Sequence, residues 1–317
     1  TSALLAELVA RHFAPEEVAV ITGGVDVAAE FASLPFDHLL FTGSTAIGRK
    51  VMAAAAQNLT PVTLELGGKS PAIIAPDYPI ADAVRSVAFG KLMNAGQTCI
   101  APDYILLERS KMQEFADRFV AEAERFYPAR KEAQNYTSLV GARALDRLRD
   151  GIEECKSRGA RILSADARLA EKGNSLAPTV VLDAPGDCRL MQDEIFGPVL
   201  PLVAYDDLNQ ALDFVNDRPR PLALYGFSHD KEVQDKIVRE TVSGNVTING
   251  TLVHIAQNDL PFGGVGPSGI GAYHGREGFV RFSHAKGIAK VKLFDPTRLL
   301  TPPYGAVAKI LAKFMTR

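Results

Sequence analysis

The sequence predicts an α/β fold in which parallel sheets are covered by helices on both faces. Two observations indicate this fold. Short apolar segments rich in Val, Ile and Leu alternate with longer segments of helical periodicity, and glycine or proline stands between most of them. The chain has 317 residues, of which 47% are hydrophobic, so it can bury a core divided between two lobes.

The first lobe is expected to begin with a helix and then to alternate strands and helices. Its predicted elements are a helix at 3–12, a strand at 18–22, a short helix to about 32, a strand at 38–41, a helix at 44–57 and a strand at 62–66. Glycine pairs end the strands at 18–22 and 62–66. The apolar segment 72–75 then opens the second lobe.

The second lobe repeats the alternation and is predicted to be doubly wound. Its elements are helices at 80–93, 110–126, 138–158, 206–216 and 230–240, with strands at 104–108, 178–182, 199–204, 223–228 and 245–248. The pattern stops between Gly250 and Gly278, where glycine is dense. Because this stretch must bury Phe262, Val265 and Ile270, we expect an ordered loop near a site.

The end of the chain is predicted to contain a strand and a helix. Residues 287–294 alternate apolar and basic side chains, which is typical of an exposed or intersubunit strand. Residues 303–317 have the pattern of a short amphipathic helix. A helix packed on the protein is favoured over a membrane anchor, because the segment is short and has few aromatic residues.

Composition argues against several classes of protein. The net charge is −2 and no basic block occurs, which disfavours nucleic acid as a partner. No apolar run approaches about 18 residues, and the N-terminus has no signal-peptide pattern, so no membrane partner is expected.

The cysteines and histidines argue against a metal site. Cys99, Cys155 and Cys188 are an odd number of widely spaced cysteines without a CxxC pair, which disfavours both a disulfide framework and a zinc cluster. The six histidines have no ligand spacing, so no metal is predicted. The expected location is the reducing cytoplasm.

Cys99 comes after a helical segment and directly follows the small polar turn 94–98. This setting favours an accessible thiol whose own backbone N–H faces a substrate oxygen. The alternative is a buried small apolar residue, which is common for an unpaired cysteine. Cys155 and Cys188 lack such neighbours and are interpreted as structural.

Glu65 lies at the end of an apolar strand, where burial would raise its pKa towards that of a usable base. The alternative is an ion pair with Lys69 or another cation. A nucleophilic thiol and a carboxylate that activates water are two of the groups needed to oxidise an aldehyde through a thioester.

Two further segments suit a dinucleotide. The run 41–48 places Gly43 and Ser44 between a strand and a helix, where a pyrophosphate could bind the helix N-terminus, although a plain helix cap is the alternative. Glu194 and Phe196 are two residues apart and would share one side of an extended segment, which suits a ribose hydroxyl and a nicotinamide ring. The alternative there is a turn with a core phenylalanine.

Five motifs in register resemble the aldehyde dehydrogenase superfamily. They are FTGSTAIG at 41–48, LELGGKSP at 64–71, GQTC at 96–99, EIFGPV at 194–199 and PFGGVGPSGIGAYHG at 261–275. The residues 269–275 and 282–284 are most similar to the class 3 and coniferyl aldehyde dehydrogenase branch, and 245–254 to the coniferyl type. The resemblance covers essentially the whole chain.

The resemblance implies a partial dinucleotide-binding domain followed by a doubly wound α/β catalytic domain. The implied boundaries are 1–66 for the C-terminal part of the NAD-binding domain, 67–285 for the catalytic domain and 286–317 for an oligomerisation strand and tail. The expected assembly is a homodimer.

The resemblance also assigns roles to residues. It implies that Cys99 is the nucleophile, that its N–H forms half of an oxyanion hole, and that Glu65 activates the deacylating water. The implied cofactor residues are Gly23, Gly43, Ser44, Leu66, Glu194 and Phe196. The expected reaction is oxidation of an aromatic, coniferyl-type or medium-chain aldehyde to its acid with NAD, or alternatively NADP.

The sequence departs from the family at its beginning. Family members carry an upstream asparagine that completes the oxyanion hole and an upstream lysine that holds the adenosine ribose, and neither motif occurs here. We therefore expect an N-terminally truncated enzyme with weak cofactor binding and little turnover. Two alternatives stay open: an acylating enzyme that uses coenzyme A or an acyl phosphate, and a catalytically dead assembly module.

Overall fold

The computed structural model describes residues 1–128, 135–170, 173–293, 295, 297–298 and 301–315. The chain forms two compact units, 1–282 and 283–317, and each is described by itself.

The first unit contains ten α-helices and ten strands among its described residues. The helices are α1 Ser2–His12, α2 Val25–Ala32, α3 Thr45–Ala56, α4 Ile80–Leu92, α5 Met112–Phe126, α6 Ala142–Ser157, α7 Arg189–Gln192, α8 Leu208–Asn216, α9 Lys231–Glu240 and α10 Gly275–Arg281. The strands are β1 Leu39–Thr42, β2 Val62–Glu65, β3 Pro71–Ile74, β4 Tyr104–Glu108, β5 Arg161–Ser164, β6 Thr179–Leu182, β7 Val199–Tyr205, β8 Ala223–Phe227, β9 Asn245–Ile248 and β10 Gly269–Ile270.

The smaller sheet has the order β1-β2-β10. Strands β1 and β2 are parallel, and the short β10 is antiparallel to β2. Glu65, the last residue of β2, pairs with Thr42 on one side and Gly269 on the other. Gly269 has a φ of +153°, and a Cβ built there would overlap the carbonyl oxygen of Leu64, so only glycine allows this close approach.

The larger sheet has the order β5-β6-β7-β4-β3-β8-β9 and is parallel except for β5. Alternate residues of β4 point to its two faces: Ile105 and Leu107 join one apolar cluster with α4 and α5, while Leu106 joins another with α6, α8 and α9. Both faces are therefore covered, which confirms the predicted α/β fold.

The sequence prediction fails for the strand at 18–22. These residues are irregular, and the side chains of Val18 and Ile21 are 42% and 62% exposed. Although β-branched residues favour a strand, an extended segment also needs a neighbouring strand to pair its N–H and C=O groups. In the described part of the chain β1 pairs only with β2, so this segment has no strand beside it.

Four of the helices and strands were not predicted. They are β5, α7, β10 and α10. β10 lies within 250–278, and α10 begins there. This stretch is therefore ordered, as expected, but part of it is a strand and a helix rather than a loop. The smaller and larger sheets lie on either side of residue 66, although β10 returns from beyond β9 to pair with β2. The domain boundaries 1–66, 67–285 and 286–317 stay predictions.

The second unit contains one helix, α11 Ala306–Met315, within the predicted 303–317. Residues 287–293 form no strand within this single chain, and Phe294 lies outside the described residues. Pairing of this segment with a second subunit therefore stays a prediction. Among the residues that the structure describes, none of the helices is long and apolar enough to span a membrane.

Candidate active site

Glu65 is a buried carboxylate without a hydrogen-bond donor. Its residue is 5% exposed, and neither carboxylate oxygen accepts a hydrogen bond from a described residue. Burial raises the pKa of Glu65 to about 8. The alternative ion pair with Lys69 is not formed, because that ammonium pairs with Asp103 and donates to two backbone carbonyl oxygens instead.

Cys99 follows a turn built from left-handed residues. Asn94 and Ala95 have φ values of 51° and 53°, and Gly96 has a φ of 76°. Left-handed backbone is unfavourable for residues other than glycine, so the surrounding structure must hold this turn. Gln97 does so: its side chain donates to the carbonyl oxygens of Asn94 (3.1 Å) and Ser138 (3.2 Å).

The Cys99 thiol is protonated at neutral pH in this structure. Its pKa is raised to about 11. Burial is the largest cause, and the negative charges of Glu194 and Glu65 raise the pKa as well. Hydrogen bonds from the N–H groups of Cys99 and Ile100 act in the opposite direction. Because the charge of Glu65 acts on Cys99, the structure brings the predicted nucleophile and base into one electrostatic environment.

Tyr225 supports the residue after Cys99. This buried side chain of β8 donates a hydrogen bond to the carbonyl oxygen of Ile100 and accepts one from the N–H of Leu252. It therefore connects the cysteine turn to the segment after β9. Nothing in the sequence indicated this role, because the tyrosine lies in a predicted apolar strand.

Removing the Tyr225 hydroxyl is expected to weaken both the fold and the cysteine turn. In Tyr225→Phe the two backbone groups lose a buried partner, which costs about 1–3 kcal/mol for each group left unsatisfied. We expect a lower unfolding midpoint in urea and altered alkylation of Cys99 by iodoacetamide. Tyr205→Phe is the matched control, because Tyr205 donates to the Ile74 carbonyl oxygen (2.6 Å). Equal alkylation in both variants would contradict the positioning role.

Glu194 has its carboxylate over the backbone of Gly67. A Cβ at Gly67 would overlap both carboxylate oxygens, and the N–H of Gly68 donates to this carboxylate. Burial, together with the charge of Asp103, raises the pKa of Glu194 to about 7, although Lys69 acts in the opposite direction. Glycine at position 67 is thus needed for the close approach.

The backbone of Glu194 is held from two sides. Arg147 of α6 donates to the carbonyl oxygens of Glu194 (3.0 Å) and Ile195 (2.5 Å). Asp103 accepts a hydrogen bond from the N–H of Ile195 at 2.8 Å. The expectation of an extended segment here is wrong, because Phe196 has a φ of 46° and turns the chain. Its ring is 38% exposed, so it is not the core phenylalanine of the alternative interpretation.

Known proteins match both the sequence and this structure. The sequence profile of the aldehyde dehydrogenase family matches residues 1–288. The chain belongs to this family. It is 44% identical over 314 residues to the coniferyl aldehyde dehydrogenase of Pseudomonas sp. strain HR199, covering 96% of this chain and 64% of that protein. Aldehyde dehydrogenase family 3 member A2 of Mus musculus is 42% identical over 317 residues, covering 99% and 64%.

A solved aldehyde dehydrogenase structure has the same fold. The substrate-bound state of Staphylococcus aureus AldH superimposes with a TM-score of 0.88 at 35% identity, covering 99% of this chain and 68% of that one. The resemblance stated from the five motifs is therefore confirmed. The chain spans about two thirds of the length of the curated relatives that it matches.

The other predicted cofactor residues surround α3. Ser44 caps the helix, with its hydroxyl accepting a hydrogen bond from the N–H of Ile47 at 3.4 Å. Gly43 and Ser44 are exposed, so the helix N-terminus is accessible. Leu66 packs against Gly48 of α3, where a Cβ would lie 2.6 Å from the Leu66 Cδ2.

Gly23 lines an apolar cavity next to this helix. The cavity has a volume of about 630 Å³ and is lined by residues of β1, α2 and α3 together with 19–24. An apolar cavity beside an accessible helix N-terminus suits the base and the phosphates of a dinucleotide. The residues present therefore fit NAD(P)+, the cofactor that family membership implies, although no described contact distinguishes NAD from NADP.

Three further supporting residues were not predicted from the sequence. Asp103 and Arg147 hold the Glu194 segment, and Tyr273 lies near Glu65 and Cys99, since burial and the charges of these two residues raise its pKa. Asp103 is a charged residue between apolar residues just before β4, and such a position is a local sequence signal for a supporting role. Arg147 lies in an amphipathic helix and has no such signal.

Proposed function

We propose that this chain catalyses, with little turnover, the oxidation of an aldehyde to a carboxylic acid with NAD(P)+, with Cys99 as the nucleophile and Glu65 as the base. The observation that supports this most strongly is the buried Glu65 carboxylate. It has a raised pKa, it accepts no hydrogen bond from the part of the chain that the structure describes, and it acts electrostatically on Cys99. An unpaired buried acid is costly to the fold, which is typical of a functional site.

In the proposed reaction the Cys99 thiol loses its proton to solvent, and the resulting thiolate attacks the aldehyde carbonyl carbon and forms a thiohemiacetal. The Cys99 N–H then stabilises the oxygen that becomes negative. Loss of hydride from that carbon gives a thioester on Cys99. Glu65 takes a proton from a water molecule that attacks the thioester carbonyl, which releases the acid and the thiol.

NAD(P)+ would supply the hydride acceptor when it is bound. Gly43 and Ser44 would hold its pyrophosphate at the N-terminus of α3, and Gly23 would lie near its adenine ribose. Leu66 is proposed to contact the cofactor as well. Glu194 would hold the nicotinamide ribose and Phe196 would flank the ring. The chain's own contribution is to position the thiol and the water-activating carboxylate.

We propose an aromatic, coniferyl-type or medium-chain aldehyde as the substrate. This rests on the coniferyl aldehyde dehydrogenase of Pseudomonas sp. among the relatives. We further propose a cytoplasmic homodimer that pairs through 287–294, in line with the dimeric NADP-preferring aldehyde dehydrogenase of Rattus norvegicus, which is 43% identical. Size-exclusion chromatography with light scattering tests the dimer.

The test of the function is product analysis. Coniferaldehyde or a medium-chain aldehyde is incubated with the chain and NAD+ or NADP+, with and without coenzyme A, and the products are separated. We expect free acid with NAD(P)H in equal amounts. Acyl-coenzyme A as the product would contradict the role of Glu65, and no product with any aldehyde would contradict the function of this chain.

The hydrolytic half of the reaction is expected to depend on pH. Because the pKa of Glu65 is about 8, its basic form increases as the pH rises through 8 and is complete above about pH 9. The steady-state hydrolysis of p-nitrophenyl acetate should therefore rise between pH 7 and 9. A rate that is flat over this range, or that falls, would contradict the assignment of Glu65 as the base.

A further inference from the structure

Cys155 and Cys188 are in direct contact in the core. Cys155 lies near the end of α6, and Cys188 immediately precedes α7. Both are fully buried free thiols, and their sulfur atoms are 2.9 Å apart. This separation is within about 1 Å of a covalent S–S bond. No local pattern predicts that these cysteines pair, because they are 33 positions apart and no CxxC motif joins them.

Polar contacts hold the two elements together around this pair. The carboxylate of Glu154 accepts a hydrogen bond from the N–H of Arg189 at 3.2 Å. Arg158 pairs with Asp187 at 2.5 Å and with Glu154 at 3.6 Å. The Glu154–Arg189 and Arg158–Asp187 contacts each join a neighbour of one cysteine to a neighbour of the other, so the sulfur atoms can react without a large rearrangement.

We propose that Cys155 and Cys188 are a redox-active pair that closes to an intramolecular disulfide when the protein meets a peroxide. One thiolate attacks hydrogen peroxide and becomes a sulfenic acid, with the release of one water after protonation. The second thiol then displaces the hydroxyl as another water and forms the S–S bond. The sulfur atoms together lose two electrons and two protons, and one peroxide is reduced to two waters.

The setting makes this closure slow at neutral pH. Burial, the contact with Cys188 and the charge of Glu154 together raise the pKa of Cys155 to about 12. Since the thiolate is the reacting form, the closure should become faster as the pH rises from 7 to 9. Peroxide would thus close the pair on prolonged exposure rather than at once.

The disulfide would connect two elements next to Glu194, a residue of the proposed cofactor site. Arg147, on the same helix as Cys155, donates to the backbone of Glu194, six residues after Cys188. A bond between the cysteines would tie α6 to the segment that presents Glu194. It would also close a loop across 33 sequence positions, which restricts the unfolded chain and raises the thermal unfolding midpoint.

The experiment uses a Cys99→Ser variant, so that only the two buried thiols remain. It is treated with hydrogen peroxide at pH 8, unfolded and labelled with N-ethylmaleimide. We expect an intact mass lower by two hydrogen atoms, no label on either cysteine, and a disulfide-linked peptide pair, all reversed by dithiothreitol. The unfolding midpoint should rise on oxidation and fall again on reduction.

The matched control adds Cys155→Ala to the same variant. It should keep one thiol that is labelled after unfolding, and its unfolding midpoint should not respond to peroxide. Two labelled thiols in the parent after peroxide, oxygen added separately to each sulfur, or a disulfide only between molecules would overturn the proposal. If the control does not fold, peptide mapping of the natural chain with Cys99 alkylated first gives the same decision.

Discussion

Cys99→Ala is expected to abolish formation of an acyl-enzyme and to reduce aldehyde oxidation on the order of 10⁴-fold or more, because no covalent intermediate can form. The direct measurement is the burst of p-nitrophenol when the protein meets p-nitrophenyl acetate, which needs the thiol but no cofactor. The natural chain should give a burst that approaches one equivalent, and the variant should give none.

The control for this prediction is Cys155→Ala, measured under reducing conditions. Cys155 is a fully buried core residue of α6, so its loss should leave the burst intact. A full burst in Cys99→Ala would assign the nucleophile to another residue. If both variants are folded and both lose the burst, the release of p-nitrophenol is not specific to Cys99, and the assignment of the nucleophile fails.

Glu65→Gln is expected to separate the two halves of the reaction. The amide cannot take a proton from water, so hydrolysis of the acyl-enzyme should slow by about 10²–10⁴-fold. At the same time a negative charge that raises the pKa of Cys99 is removed. The burst and the alkylation of Cys99 at pH 8 should therefore become faster while the steady state becomes slower.

The matched control is Glu114→Gln on α5. Glu114 pairs with Arg118 at 2.8 Å, with both side chains about half exposed, and such pairs contribute little to stability. Both phases of p-nitrophenyl acetate hydrolysis should match the natural chain. A Glu65→Gln variant with slower burst and unchanged steady state would reverse the assignment, because Glu65 would then act in acylation.

Much of the fold could be predicted because the central strands of the larger sheet, β6, β7, β4, β3 and β8, are largely apolar segments. The predicted bounds of 104–108 and 245–248 agree with β4 and β9. Such strands are buried on both faces, and their composition alone marks them. The segment 18–22 has the same composition but no neighbouring strand, and pairing is a property that a local pattern does not contain.

The central pair of the site could be predicted for a related reason. Glu65 interrupts an apolar strand and Cys99 follows a polar turn, so both are locally unusual. The supporting contacts are not local. Arg147 reaches Glu194 across 47 positions, and Tyr225 reaches Ile100 across 125 positions. Contacts over such separations depend on how the elements pack.

The return of the chain as β10 has a mechanical consequence. The first crossing between the sheets is the short connection from Glu65 to Pro71, and the second follows β9 and ends where Gly269 pairs with Glu65. Two connections restrict the rotation of the smaller sheet relative to the larger sheet more than one connection would. We therefore expect the separation between the Glu65 carboxylate and the Cys99 thiol to vary less than it would with one connection.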